Sequence, residues 1–219
     1  MVGAVGTHGP LLGPGASLML DVLLLGGALV LLLSDRRLTV PSGTVLLSMV
    51  AATAAARVAM ADLPNVQPVS VMVLLAGATM GARRGVAFAV LVTILSNTVL
   101  GDGLWTLLQA VGWSLMAVAG SKLDLLEDGV LRLGRATALA CVLALPFGAL
   151  TTLSVLGPNV GLAALPALLW SGLPFDAAHA LGNVVVMLWA GPSIVRWMTY
   201  REIADPMAIT GLEADASLV

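Results

Sequence analysis

The chain alternates apolar runs of about membrane length with short breaks rich in Gly, Pro and charged residues. A bilayer-spanning helix needs roughly 20 mostly apolar residues, with ~17–25 tolerated. Runs of this kind predict helices over 16–33, 42–61, 66–82, 85–100, 104–120, 135–157 and 176–197. The breaks read SDRRLTVPSG, DLPNVQP, GARRG, LGDG, SKLDLLEDGVLRLGR and GPNVGLAALPALLWSGLPF, and their Gly and Pro supply the turn chemistry. The last of these, 157–175, is too short and too Pro-interrupted for two spans. It predicts an interfacial or lid helix around 162–170, with a re-entrant hairpin as the alternative.

Charge orients this pattern. Arg36 and Arg37, Arg83 and Arg84, Lys122, Arg132 and Arg135, and Arg196 and Arg201 all fall in alternate breaks, while Arg57 stands alone in an apolar stretch. Lys and Arg in short loops mark the cytoplasmic side. Seven helices with the amino terminus outside put every basic break in the cytoplasm, and leave 62–67, 100–103 and 157–175 outside. The composition agrees: 59% of residues are hydrophobic, 10% are charged, and mean hydropathy is +1.02, more apolar surface than a soluble domain of this length could bury. The expected fold class is therefore an all-α integral membrane protein. Residues 1–41 hold a tail, the first helix and a basic loop, 42–199 the main membrane domain, and 200–219 a loose cytoplasmic tail. No basic residue precedes Arg36, so a secretory signal is not expected. The net charge of -2 gives no general attraction for nucleic acid. The single Cys141, mid-span, reads as a small hydrophobe rather than a metal ligand, and no metal or cofactor is implied.

Three groups of side chains could carry chemistry. Arg57 costs at least ~2.5–3.5 kcal/mol to place in a membrane, so it needs a partner or a wet cavity; Asp62 and Asp102 are the nearest carboxylate partners for a purely structural role. Asn65, Gln67, Asn97, Trp105, Gln109 and Trp113 form a second group. Trp105, Gln109 and Trp113 recur at helical spacing and line one stripe, suited to a flat ligand with a polar edge, or else to an interfacial aromatic belt with one interhelical amide bond. Asp176, His179 and Asn183 share a face of the last helix. They could form half of a catalytic pair, a proton relay, a ligand-binding face, or a buried network that sets helix register. Asp124, Glu127 and Asp128 read as a solvated face. Ala51, Ala55 and Ala59, with Gly77, Gly81 and Gly85, give small-xxx-small pairs that let helices approach closely. The chain has no GxxxxGK[ST], HExxH or GxSxG, and few intramembrane carboxylates for a proton- or sodium-coupled pump. A channel would need rings of charge that are missing here.

The order ARVAMADLPNVQPVSVMVLLAG, Gly81-x3-Gly85, SNTVLGDGLWTLLQAVGW, PFDAAHALGNVVVMLWAGP resembles the substrate-binding S components of energy-coupling factor (ECF) vitamin transporters over about 45–197. The resemblance implies a six-helix core, here with one extra N-terminal transmembrane helix, in the bacterial plasma membrane. It implies capture of a vitamin or precursor from outside, weakly favouring a cobalamin-type molecule, and delivery with a T component and two ATPase subunits. Ala51, Ala55 and Ala59 would dock the T component, and 64–68 would help cover the ligand. Gly101, Gly103, Trp105, Thr106 and Gln109 match a loop-helix motif in which Leu104 and Leu107 replace the usual prolines. The expected pocket is Arg57, Asn65, Gln67, Asn97, Trp105, Gln109, Trp113, His179 and Asn183. The competing expectation is an intramembrane enzyme acting on a lipid or isoprenoid through Asp176 and His179.

Overall fold

The computed structural model of the chain describes residues 5–6, 9–10, 12–36, 38–63, 65–157 and 159–203. Its helices are α1 (Pro14–Leu33), α2 (Val40–Ala59), α3 (Val69–Leu100), α4 (Leu104–Lys122), α5 (Leu133–Val142), α6 (Ala144–Thr152) and α7 (Leu165–Ile203). Two antiparallel hairpins, β1 (Val5–Gly6) with β2 (Gly9–Pro10) and β3 (Leu126–Glu127) with β4 (Val130–Leu131), complete the described chain together with short 3-10 turns. Six helical segments are long and apolar enough to cross a membrane, with Leu133–Val155 counted as one. Large apolar side chains such as Leu18, Leu23 and Val30 on α1, and Leu181, Leu188 and Trp189 on α7, lie exposed. Lipid would cover such a surface, and the chain has the build of a multi-pass, all-helical membrane protein.

The seven expected spans and the six observed ones differ at one point. The spans predicted over 66–82 and 85–100 are joined in α3, whose only non-helical residue is Gly81, at φ 83 and ψ 170. A Cβ built on Gly85 would lie 2.8 Å from the Cα of Gly77. Residues eight apart on a straight helix are about 12 Å apart along the axis, so the two arms of α3 fold back on each other at Gly81. The expected GARRG loop is thus a one-residue reversal, and Gly81 and Gly85 do not share one helix face. Positive φ with an extended ψ is essentially confined to glycine. Gly81→Ala is therefore expected to lower stability by about 1–3 kcal/mol, measurable by denaturant unfolding in detergent micelles.

The first arm, 69–80, covers only about 18 Å, against about 30 Å of hydrocarbon. It packs on α4 through residues with little or no side chain. A Cβ on Gly77 would sit 1.9 Å from the carbonyl oxygen of Ala117, and one on Gly120 would sit 2.1 Å from that of Leu74. Leu74, Leu75, Phe88, Val92, Met116 and Met187 fill the core around this contact. α1 is peripheral: Ala28 is its buried residue, and it leans on the second arm of α3 near Ala87 and Val90.

The ends of the bundle separate by chemistry. Arg84 Nε lies 2.7 Å from Asp35 Oδ2, and Arg83 Nη1 donates to the carbonyl of Ser34 at 3.4 Å. Thr79 Oγ1 reaches Met198 Sδ at 3.1 Å, bringing the far end of α7 to the same side. Arg132 pairs with Glu127 at 2.9 Å on the β3–β4 hairpin. Of the tail expected to be loose over 200–219, residues 200–203 are the end of α7, and Arg37 and residues 204–219 lie outside the described residues.

Two further expectations are corrected. The span 135–157 is two helices, α5 and α6, meeting at Leu143. Pro146 has no N–H for the carbonyl of Val142, and its ring crowds that carbonyl, so the helix breaks there. The separate lid around 162–170 is absent, because a 3-10 turn at Leu162–Ala164 runs directly into α7, a helix of 39 residues. Pro166 near its start favours helix initiation, and Pro174 and Pro192 are carried inside it, as membrane helices tolerate.

Candidate functional site

Buried positions on α2 recur at Leu46, Met49, Val50, Thr53, Ala54 and Arg57, one continuous stripe facing the bundle. Arg57 stands at the end of that stripe, 5% exposed, in the last turn of the helix. Its guanidinium meets only neutral acceptors. Nε donates to Gln67 Oε1 at 3.2 Å, Nη1 to Asn97 Oδ1 at 2.7 Å and to Ser96 Oγ, and Nη2 to Gln109 Oε1 at 3.2 Å. The indole of Trp113 lies beneath it, 5.0 Å from ring centroid to guanidinium carbon, a cation–π geometry. Among the described residues no carboxylate pairs with Arg57. The structural reading that tied it to Asp62 or Asp102 therefore does not hold.

The acceptors are themselves held in place. Ser96 Oγ gives its proton to the Val92 carbonyl at 2.6 Å, which turns a lone pair toward Arg57. Asn97 Nδ2 donates to Thr106 Oγ1 at 2.9 Å and to Gln109 Oε1 at 3.1 Å. Thr106 Oγ1 also accepts from the Gly103 N–H at 3.3 Å and donates to Asp102 Oδ1 at 3.3 Å, closing the first turn of α4. Gly101 takes φ 100, a conformation suited to glycine. A Cβ on Gly103 would fall 2.0 Å from the Trp105 ring, so the loop is shaped around that indole even with Leu104 in place of proline. Trp105 Nε1 donates back to the Gly101 carbonyl at 3.3 Å.

A second chain of contacts forms the opposite wall. Trp113 Nε1 donates to Ser70 Oγ at 3.2 Å, and Ser70 Oγ lies 2.7 Å from His179 Nε2. The direction of the Ser70–His179 bond follows the imidazole tautomer, since the serine hydroxyl keeps both a proton and a second lone pair beside the one the indole takes. Phe147 of α6 stacks on Trp113 at 5.1 Å and 25°, and meets the His179 ring edge-on at 5.2 Å and 77°.

Between the two walls lies a cavity of about 230 Å³. Val69 and Ser70, at the N-terminal end of the short first arm of α3, line it. Of the expected pocket residues, Arg57, Asn65, Gln67, Asn97, Trp105, Gln109, Trp113 and His179 all line this one space. Asn183 does not. It is fully buried farther along α7, where Nδ2 donates to the Ala140 carbonyl of α5 at 2.9 Å, so it serves helix packing. Nor do Asp176 and His179 form a pair. Asp176 is turned toward α6, where a Cβ on Gly148 would fall 1.8 Å from its Oδ1. Residues three apart on a helix share a face only broadly, and here the two side chains diverge to different neighbours. Cys141 is half-buried on α5 and lines none of this cavity.

Three contributors had gone unnoticed in the sequence: Ser70, Ser96 and Phe147. Ser96 adjoins Asn97, and Phe147 is one of only three phenylalanines, which was the available signal. Ala51, Ala55 and Ala59 all lie exposed on the opposite face of α2 from Arg57. No family model, curated protein or solved structure matches this chain.

Proposed function

We propose that the chain is a membrane-embedded capture subunit of the ECF S-component kind, which binds a small organic solute from outside and catalyses no reaction itself. The observation that carries this reading is the cavity itself. A guanidinium held by amides and a hydroxyl, with no carboxylate, faces a space walled by Trp105, Trp113 and Phe147. Ligand sites are typically apolar concavities with a few convergent polar groups. The cavity lies at the end of the bundle opposite Arg83, Arg84 and Asp35. With the basic loops cytoplasmic, it opens outward and the amino terminus is outside, as the resemblance to S components also implies. The exposed Ala51, Ala55 and Ala59 face supplies the close-packing surface such a subunit needs for its T component, with two ATPase subunits providing the energy.

A volume of about 230 Å³ favours a small vitamin or precursor over a corrinoid, which is several times larger. The enzymatic reading through Asp176 and His179 gains nothing from a pair whose side chains do not meet.

Native mass spectrometry of the purified chain tests the proposal by identifying what it carries. A stoichiometric small solute, unchanged after prolonged incubation, is expected. Turnover by the isolated chain, or a chain that binds no small solute, removes the proposal. In cells containing the T component and ATPases, Trp105→Ala combined with Gln109→Ala is expected to abolish uptake while leaving the amount of protein in the membrane unchanged.

A further inference from the structure

The hydrogen bonds around Arg57 fix more than the position of its side chain. A guanidinium carries five N–H donors and no acceptor, so every amide that faces it must present oxygen. Gln67 and Gln109 both do so, and Gln109 Oε1 accepts from Asn97 Nδ2 as well. Their orientation is therefore determined, and both Nε2 groups are left over. Neither Nε2 has a protein partner among the described residues, yet both side chains line the cavity. Four of the five guanidinium N–H groups are used, one by Gln67, one each by Ser96 and Asn97, and one by Gln109; the remaining one is on Nη2. The amide oxygens of Gln67, Asn97 and Gln109 are turned to the guanidinium, and the two glutamine N–H2 groups are left for the space.

Charge points the same way. Among the described residues that line the cavity, Arg57 alone carries a permanent charge. Asp102, the carboxylate nearest along the bonded chain, accepts from Thr106 and does not line the cavity. The space thus presents one positive charge, several N–H donors and three aromatic rings around a cavity of about 230 Å³.

Resting on the capture reading above, we infer that the solute is a small monoanion: a single flat ring bearing one carboxylate. The carboxylate sits at Arg57 Nη2 and the free amides of Gln67 and Gln109, and the ring lies against Trp105, Trp113 and Phe147. One guanidinium matches one negative charge. A cationic ring would meet Arg57 with like charge, and a neutral amide would bring an N–H2 toward a guanidinium and two glutamine N–H2 groups, where a carboxylate brings only acceptors. Charge-assisted bonds to a carboxylate are also the stronger kind.

The test uses the full chain in lipid nanodiscs and two matched probe series, read by tryptophan fluorescence and thermal shift. The carboxylates are benzoate, 4-aminobenzoate and nicotinate; the neutral congeners are benzamide, 4-aminobenzamide and nicotinamide. Benzylammonium serves as the cationic probe. At least one carboxylate is expected to bind ten-fold or more tightly than its amide, with no binding of the cation. Gln109→Glu keeps an acceptor for Arg57 at the same place while removing the free N–H2 and cancelling the charge. It is expected to weaken carboxylate binding at least a hundred-fold with the fold intact. Equal or tighter binding of an amide or of benzylammonium, or full carboxylate affinity in Gln109→Glu, overturns the monoanion inference and leaves the capture reading standing. Binding by none of the probes, together with no solute carried by the purified chain, removes both.

Discussion

Arg57→Ala is expected to abolish solute binding, by a hundred-fold or more, while costing the fold only about 2 kcal/mol. The two effects separate because of where the side chain stands. Removing a donor orphans two acceptors, Gln67 Oε1 and Asn97 Oδ1, since Gln109 Oε1 keeps Asn97 and the Ser96 proton still reaches Val92. A buried orphan costs about 1–3 kcal/mol, but these face a cavity that water can enter, which brings the sum to the low end. Removing the guanidinium also relieves its own burial cost. Binding has no such compensation, because no other described lining residue carries a permanent charge. Arg57→Lys sharpens the point. An ammonium keeps the charge but offers three donors on a single atom, and cannot face Gln67, Asn97 and Gln109 in a planar fork. Its binding is expected to fall between the parent protein and Arg57→Ala. Isothermal titration and chemical unfolding on the same preparations measure the two quantities side by side. Arg57→Ala that unfolds outright, or that binds solute unimpaired, would show that the residue is structural.

Gly77→Val is expected to have the largest effect on stability, about 3 kcal/mol or more. The first Cβ alone would lie 1.9 Å from the carbonyl oxygen of Ala117, 2.7 Å from its carbonyl carbon and 3.0 Å from its Cα. These are backbone atoms inside α4, so no side-chain rotation relieves the overlap, and the first arm of α3 must move off its neighbour. Near the start of that arm Ser70 bonds to Trp113 and His179. The substitution should therefore remove solute binding as well, from a position outside the cavity. Gly26→Val in α1 is the control, since nothing lies within 4 Å of a Cβ there, and it should leave unfolding and binding nearly unchanged. Comparable losses from both glycines would mean that helix propensity, not the α3–α4 contact, sets the cost.

The sequence by itself determined the apolar runs, their number when the two arms of α3 are counted separately, and the segregation of basic residues to alternate breaks. These are local properties. Run length reports a helix long enough for a bilayer, and 3.6-residue periodicity places Trp105, Gln109 and Trp113 on one stripe, and all three line the cavity. It could not give three of the four hydrogen-bond partners of Arg57, which stand 39, 40 and 52 residues away on other helices. Nor could it give the link from Ser70 to His179, 109 residues apart. Such meetings depend on how each helix is rotated and how deep it sits, and periodicity alone leaves both free. The same limit explains Asn183 and Asp176. Both lie on the expected helix face, yet rotation of α7 delivers His179 to the cavity, Asp176 to Gly148 and Asn183 to Ala140. Only the tertiary structure decided that Gly81 is a reversal rather than a loop, because the close approach of Gly77 and Gly85 is a contact between two arms. It also decided the character of the site. The amide oxygens of Gln67, Asn97 and Gln109 are turned to one buried guanidinium and the two glutamine N–H2 groups are left for an aromatic-walled space, because a guanidinium fixes which way its amide neighbours must turn.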